Sequence, residues 1–150
     1  GLFNTKLLRS EDNDFNARIR ESGGKIWLAE DIRFKYYCRD TVKDILIFAL
    51  KNGNALFRTL FVNPKAMSIR HFIPFVFLVS LIVLPVLSIF SSAFKWLFLL
   101  ELLLYFALDV YFSISAKNKK HILITLWLYP LFHIAYGLGS FLGLFGIALY

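Results

Sequence analysis

The feature that most constrains this chain is an abrupt change of composition at Arg70-His71. Residues 1–71 carry 13 Lys and Arg and eight Asp and Glu, whereas residues 72–150 carry four Lys and two acidic residues. The rest of the second part is mostly Leu, Phe, Ile and Val. A charged N-terminal part is therefore predicted to precede a region that lies in a membrane.

The overall composition also indicates a membrane protein. The chain is 58% hydrophobic and 18% aromatic, which is more apolar surface than a soluble domain of 150 residues can bury. The net charge of +7 lies beside apolar runs and forms no separate basic stripe, so we expect membrane lipids as partners and no nucleic acid. The single cysteine, Cys38, cannot form an internal disulfide and fits a reducing compartment.

The chain begins with Gly-Leu-Phe and shows no signal-peptide pattern. We interpret it as the C-terminal piece of a longer protein. The alternative is a processed or wrongly delimited short protein.

The N-terminal part is predicted to contain both helices and strands. Residues 10–24 indicate a short helix with Ser10 as N-cap and Gly23-Gly24 as its end. Residues 25–29 and 32–37 indicate two strands. Residues 40–61 indicate a helix that is capped by Asp40 or Thr41 and interrupted at Gly53. Its mixture of apolar and basic residues suits a helix at the membrane surface, and packing on the soluble part remains an equal alternative.

Three membrane spans are predicted, at about 71–94, 96–116 and 121–142. The stretch 121–150 has no Asp, Glu, Lys or Arg and exceeds one crossing, so it is expected to contain a span and an extra segment, with residues 137–150 either crossing the membrane or re-entering it. Lys117, Lys119 and Lys120 lie between the second and third spans, and only Lys95 lies between the first two. The positive-inside rule therefore predicts that the N-terminal part and the Lys117–Lys120 loop are cytoplasmic.

Several motifs occur in a characteristic order. The first is Ser10-Glu11-Asp12-Asn13-Asp14-Phe15 with Arg18, followed by Gly24 and Lys25-Ile26-Trp27-Leu28. Next come Tyr36-Tyr37-Cys38-Arg39, Asn52-Gly53 with Arg58, Pro64-Lys65-Ala66, Arg70-His71 with Pro74, and Pro130, His133, Tyr136, Gly137 and Gly139. In this order and spacing the chain resembles the C-terminal part of a membrane-anchored family 2 glycosyltransferase of the succinoglycan and exopolysaccharide type.

The resemblance implies a fold with two parts. Residues 1–39 would be an α+β remnant, the C-terminal part of a GT-A α/β domain, and residues 40–70 would be amphipathic interface helices. Residues 71–150 would be an all-α membrane region of about three transmembrane helices. The implied protein is a multi-pass enzyme of the bacterial inner membrane.

The resemblance also implies a reaction and its residues. A sugar would pass from a nucleotide-sugar donor, with inversion, to a glycan or lipid-linked acceptor in extracellular polysaccharide synthesis. Asp12 would be the general base and Glu11 its neighbour on the acceptor side, while Arg39 and Arg58 would bind substrate. A divalent cation, Mg or Mn, would be held mainly by residues N-terminal to this chain, and no metal ligand is assigned within it. These 150 residues alone are not expected to catalyse transfer.

Two other interpretations of these residues remain open beside the enzyme. The acidic residues Glu11 and Asp12 also suit a plain helix start, where the helix dipole favours negative charge. The whole chain also suits a non-catalytic, polybasic membrane anchor or assembly subunit.

The predicted spans contain a few polar residues that need an explanation, because ionisable groups in a membrane are costly. Glu101 is expected near the outer surface, about a turn and a half from Lys95. Asp109 is expected deeper in the membrane. If it is functional, it would either line a path for the glycan or contact a partner helix. His133 is expected to form an interhelical hydrogen bond, and Gly139 and Gly143 form a GxxxG pair typical of close helix packing.

Overall fold

The computed structural model describes residues 2–115 and 119–149. In chain order the α-helices are α1 (Glu11–Glu21), α2 (Val42–Val62), α3 (Ile73–Ser88), α4 (Ser92–Ser115) and α5 (Ile122–Leu144). Short 3₁₀ segments at Pro64–Ala66 and Ile69–Phe72 precede α3, and another at Lys119–His121 precedes α5. Helices α2 to α5, with the 3₁₀ turns directly before α3 and α5, are long and apolar enough to cross a membrane.

The predicted α+β remnant is wrong, because no strand forms among the described residues. Residues 25–29 and 32–37 carry the side-chain pattern of strands, but every residue from 22 to 40 is exposed and none belongs to a helix or sheet. Trp27 and Leu28 are 85% and 96% exposed. A strand is stable only when its backbone pairs with another strand and one of its faces is covered, and these segments have neither form of support.

The first predicted helix is confirmed, with changed details. Helix α1 ends at Glu21, and Gly23 follows with φ of 81°, the left-handed conformation that glycine adopts without strain. Ser10 precedes α1, but it makes no capping hydrogen bond with its side chain. Its own φ is 61°, which places a left-handed residue directly before the acidic pair.

The membrane region contains one more candidate span than predicted. The predicted spans 71–94, 96–116 and 121–142 correspond to α3, α4 and α5, and α2 is a fourth helix of sufficient length and hydropathy. Lys119 and Lys120 lie directly before α5. Lys117, which entered the orientation argument with them, lies outside the described residues.

The predicted interruption of the second helix at Gly53 is wrong, because α2 is continuous from Val42 to Val62. Thr41 caps it as predicted, since its hydroxyl accepts a hydrogen bond from the Asp44 backbone N–H at 3.1 Å. The middle of α2 is buried, with Ala49, Gly53 and Leu56 among its covered residues. Helix α5 covers most of this face.

Three glycines set the distance between α2 and α5. A Cβ atom on Gly53 would overlap the carbonyl oxygen of Tyr136, and one on Gly139 would overlap that of Leu50. Gly143 approaches the α2 backbone in the same way. The GxxxG prediction is therefore confirmed, and Gly53 is its counterpart on the facing helix.

The chain turns back after α5. Helix α5 ends at Leu144, and Gly146 follows with φ of 75°. Residues 147–149, which we call the tail, return to α2. The Asn54 side chain donates a hydrogen bond to the carbonyl of Ile147 at 2.7 Å and accepts one from the backbone N–H of Leu149 at 3.0 Å. One buried amide on α2 thus fixes the end of the described chain.

The close approach of α2 and α5 predicts that neither helix tolerates even a methyl group at the contact. Gly53→Ala and Gly139→Ala should each lower the free energy of unfolding by about 3 kcal/mol, because the added Cβ must push two backbones apart. Thermal unfolding in detergent, followed by circular dichroism, measures the effect. Ala107→Val on the exposed face of α4 is the control, and it should leave the midpoint unchanged. Unchanged midpoints for both glycine variants would contradict the contact.

Candidate functional site

A basic cleft lies where the N-terminal segment meets α2 and the tail. It has a volume of about 260 Å³, and its walls include Arg9, Lys51, Asn54, Arg58 and Leu149. Lys51, Asn54 and Arg58 share one face of α2, because residues three, four and seven apart lie on the same side of a helix. The residues that line the cleft include three cations and no carboxylate. An anion is therefore the ligand that its electrostatics favour.

Arg9 is held in the cleft by two residues of α2. Its Nη1 donates a hydrogen bond to the side-chain oxygen of Asn52 at 3.0 Å, and its guanidinium lies 5.9 Å from the centre of the Phe48 ring. Arg39 stacks on the same ring at 3.6 Å. The structure therefore brings Arg39, one of the predicted substrate-binding residues, close to Arg9. Arg58, the other one, is in the cleft itself.

The tail separates the basic cleft from a second cleft of about 250 Å³. Asn54 and Arg58 line both clefts. The second cleft is otherwise mainly apolar, with Phe61, Leu144 and Ile147 among its walls. Arg58 therefore stands at the boundary between a cationic compartment and an apolar one.

The predicted catalytic pair, Glu11 and Asp12, opens α1 directly after this cleft. Asp12 is exposed, and its carboxylate accepts a hydrogen bond from the next backbone N–H at 2.8 Å. Asp12 lies three positions after Arg9, so their Cα atoms lie within about 11 Å of each other. Between them is the left-handed Ser10, a conformation that costs roughly 1–2 kcal/mol in a residue other than glycine.

Asp14, which was not among the predicted site residues, is the carboxylate that the structure buries. It is 1% exposed and accepts hydrogen bonds from Arg18 Nε at 3.0 Å and from the Asn63 amide at 2.9 Å. Arg18 in turn donates to the Leu2 carbonyl at 2.8 Å. Asp14 therefore docks α1 on the segment that follows α2, and its spacing of four from Arg18 was the sequence signal for this pair.

The divalent cation implied by the family resemblance finds no ligand set in the part of the chain that is described. No group of three or more His, Cys, Asp or Glu side chains comes together there. The Asp12-Asn13-Asp14 sequence does not act as a metal motif, because Asp14 is occupied by Arg18 and Asn63. No chemical step is therefore assigned to a cation here.

Polar side chains also meet inside the membrane region. Glu101 accepts a hydrogen bond from the hydroxyl of Ser80 on α3, so it faces the bundle rather than only the outer surface. The hydroxyl of Tyr105 on α4 lies 2.8 Å from Nδ1 of His133 on α5, which confirms the predicted interhelical hydrogen bond. Asp109 is 6% exposed.

Comparison with protein-family models, with curated proteins and with solved structures found no match to this chain. The resemblance to family 2 glycosyltransferases therefore rests on the sequence motifs.

The burial of Asp14 predicts that α1 detaches when this carboxylate is removed. Asp14→Ala leaves Arg18 and Asn63 without their acceptor, which should cost about 3 kcal/mol. Limited trypsin digestion should then cleave after Arg18 and Arg20 much faster than in the unchanged protein. Asp12→Ala, at an exposed carboxylate one turn away or less, should keep the original pattern. Equal cleavage rates for both variants would contradict the docking role.

The cation content of the basic cleft predicts binding of a small phosphate anion. The full chain in detergent should bind inorganic pyrophosphate, measured by isothermal titration calorimetry. Arg58→Gln and Lys51→Gln should each weaken binding by about tenfold, because a hydrogen bond to a charged group is worth about 1.5 kcal/mol or more. Arg33→Gln, at an exposed cation outside the cleft, should have no effect. Equal affinities in all four proteins would contradict an anion site here.

Proposed function

We propose that this chain is the membrane-bound, acceptor-side part of a bacterial inverting glycosyltransferase that acts in extracellular polysaccharide synthesis. The observation that carries the proposal is the adjacency of the acidic pair Glu11-Asp12 and the basic cleft. A carboxylate that accepts a proton and cations that bind a phosphate are the two groups that transfer from a nucleotide-sugar requires. The order of the motifs in the sequence also supports a glycosyltransferase.

In the proposed reaction Asp12 takes the proton from the acceptor hydroxyl. The acceptor oxygen then forms a bond to the anomeric carbon as the bond from that carbon to the nucleotide diphosphate breaks. Attack from the opposite face inverts the configuration. The proton stays on Asp12 until it is released to water, and the electron pair leaves with the diphosphate.

The exposure of Asp12 supports its role as a base for an external hydroxyl. It has no cationic partner among the described residues, so it is open to an acceptor. Asp14 is unsuited to this role, because it is buried and paired with Arg18. Glu11 is half-buried at the helix start, on the acceptor side in this proposal.

In this proposal Arg9, Lys51 and Arg58 stabilise phosphate, either the leaving diphosphate of the donor or the phosphate of a lipid-linked acceptor. Arg39 supports them from the face of Phe48. A lipid-linked acceptor suits the apolar cleft across the tail, since Arg58 lines both clefts. The proposed location is the bacterial inner membrane with the N-terminal part in the cytoplasm, where nucleotide-sugars are made. In this proposal α3, α4 and α5 cross the membrane, and α2 lies at its cytoplasmic surface, so that the N-terminal part and Lys119–Lys120 are on the same side.

The cation-lined cleft also favours a second candidate function, a non-catalytic polybasic anchor or assembly subunit. Three cations beside an apolar surface fit the headgroup of an anionic lipid as well as a substrate phosphate. In this case Asp12 would do nothing beyond placing negative charge at the start of α1. The two functions differ in what the Asp12 carboxylate does.

The replacement of Asp12 by Asn separates the two functions. In the complete encoded protein, Asp12→Asn should lower sugar transfer at least about 100-fold, because general-base catalysis contributes 10²–10⁴-fold. Membrane insertion and nucleotide-sugar binding should be unchanged. Transfer is measured in membranes with a radiolabelled nucleotide-sugar, and binding is measured by equilibrium dialysis.

Asp31→Asn is the matched control, since Asp31 is exposed and lies outside any helix. It should leave transfer unchanged. Full activity of Asp12→Asn would remove Asp12 from the base role. Absence of transfer in the unchanged protein with every nucleotide-sugar tried would favour the anchor.

A further inference from the structure

Four polar residues form a stripe along α4. Glu101, Tyr105, Asp109 and Ser113 follow one another at intervals of four, so they lie on one face of the helix. The last lies twelve positions after the first, which corresponds to about 18 Å along the helix axis. The residues between them, such as Leu103, Phe106 and Leu108, are more than half exposed and face outward. Helix α4 therefore keeps a polar face toward the bundle and an apolar face toward lipid.

Two of these residues form hydrogen bonds with side chains of neighbouring helices. Glu101 accepts a hydrogen bond from Ser80 on α3, and Tyr105 pairs with His133 on α5 at 2.8 Å. Tyr105 also stacks on the Phe77 ring, with 4.2 Å between the ring centres. These contacts hold α4 against the bundle and leave Asp109 as the next member of the stripe.

Asp109 forms no hydrogen bond with a neighbouring helix among the described residues. Its one hydrogen bond among the described residues comes from the Ser113 hydroxyl on the same helix, at a distance of 3.5 Å. His133 on α5 is a titratable side chain that faces it across the same cleft, and the Nδ1 of that ring is already paired with the Tyr105 hydroxyl. Neither of the ion pairs between described residues, Asp14–Arg18 and Glu21–Lys65, involves it. A carboxylate that is 94% covered within a membrane span therefore has no Lys or Arg partner among the described residues.

Two clefts meet at this carboxylate. One has a volume of about 410 Å³ and includes Ile73, Phe112 and Tyr129, and the other has a volume of about 560 Å³. Asp109 and Tyr105 line both, and nearly all the other walls are apolar or aromatic. We call the two clefts together the Asp109 slot. It combines a large apolar surface with one carboxylate that no described Lys or Arg pairs with.

We propose that the Asp109 slot is the docking site for a transmembrane helix that carries a Lys or Arg side chain. The cation would pair with Asp109, and the apolar side chains of the partner would fill the two clefts. Charge complementarity selects this occupant over a purely apolar helix, since an apolar helix would bury the carboxylate without compensation.

The depth of Asp109 fits a cation from a partner helix. Asp109 lies six residues, or about 9 Å, from the end of α4 at Ser115. A Lys side chain at this depth can extend to the membrane surface while its helix is alone, so the partner remains stable before it docks. In the complex the same side chain turns inward to the carboxylate. The proposal is independent of the glycosyltransferase reading, because it needs neither the basic cleft nor Asp12.

Two synthetic transmembrane peptides test this proposal. Both are Leu-Ala helices of about 20 residues, and one has a single Lys two turns from one end where the other has Leu. The full chain carries a fluorophore on Cys38, its one cysteine, which is exposed. Energy transfer to the labelled peptides in vesicles of zwitterionic lipid gives their affinities. The Lys peptide should bind at least about tenfold more tightly than the Leu peptide.

Asp109→Asn should remove this preference, whereas Asp109→Glu and Glu101→Gln should keep it. A second arm uses only the unchanged protein, so it does not depend on how a variant folds. A peptide with its Lys at the bilayer midplane should lose most of the preference, because the cation no longer meets Asp109. Equal binding of the Lys and Leu peptides, no binding of either, or a preference that persists in Asp109→Asn would each overturn the proposal.

Discussion

The close approach of the α2 and α5 backbones is the constraint on which the other parts of this structure depend. Lipid is as apolar as a leucine side chain, so helices in a membrane associate through close packing and hydrogen bonds rather than through the hydrophobic effect. Gly53 and Gly139 permit that packing, and Asn54 adds hydrogen bonds to Gly139 and to the tail. Because α2 is fixed in this way, Lys51 and Arg58 stand beside the N-terminal segment.

The same principle explains why α4 is held differently. It has no glycine at a backbone contact, and its outer face is covered with exposed Leu and Phe side chains. Hydrogen bonds from Ser80 to Glu101 and between Tyr105 and His133 connect it to α3 and α5. A helix held mainly by a few polar contacts keeps clefts along its length, and those clefts are where Asp109 lies.

Local features of this fold could be predicted from the sequence, and long-range ones could not. The Thr41 cap, the stop at Gly23 and the apolar spans depend on neighbouring residues, and all are present. The strands at 25–37 were predicted from a local pattern, but a strand also needs a partner, which no pattern within the segment can supply. The basic cleft was missed because Arg9 meets Asn52 across 43 residues of sequence. Asp12 and Asp14 share one helix turn, and docking of α1 decides which is buried.

The distribution of charge connects the two sites. A protein in a bilayer tolerates an unmatched charge only where a partner or water compensates it. Among the described residues, the walls of the basic cleft include three cations and no carboxylate, whereas the walls of the Asp109 slot include a carboxylate and no Lys or Arg. Their opposite signs therefore call for different partners, a phosphate at the cleft and a cation-bearing helix at the slot.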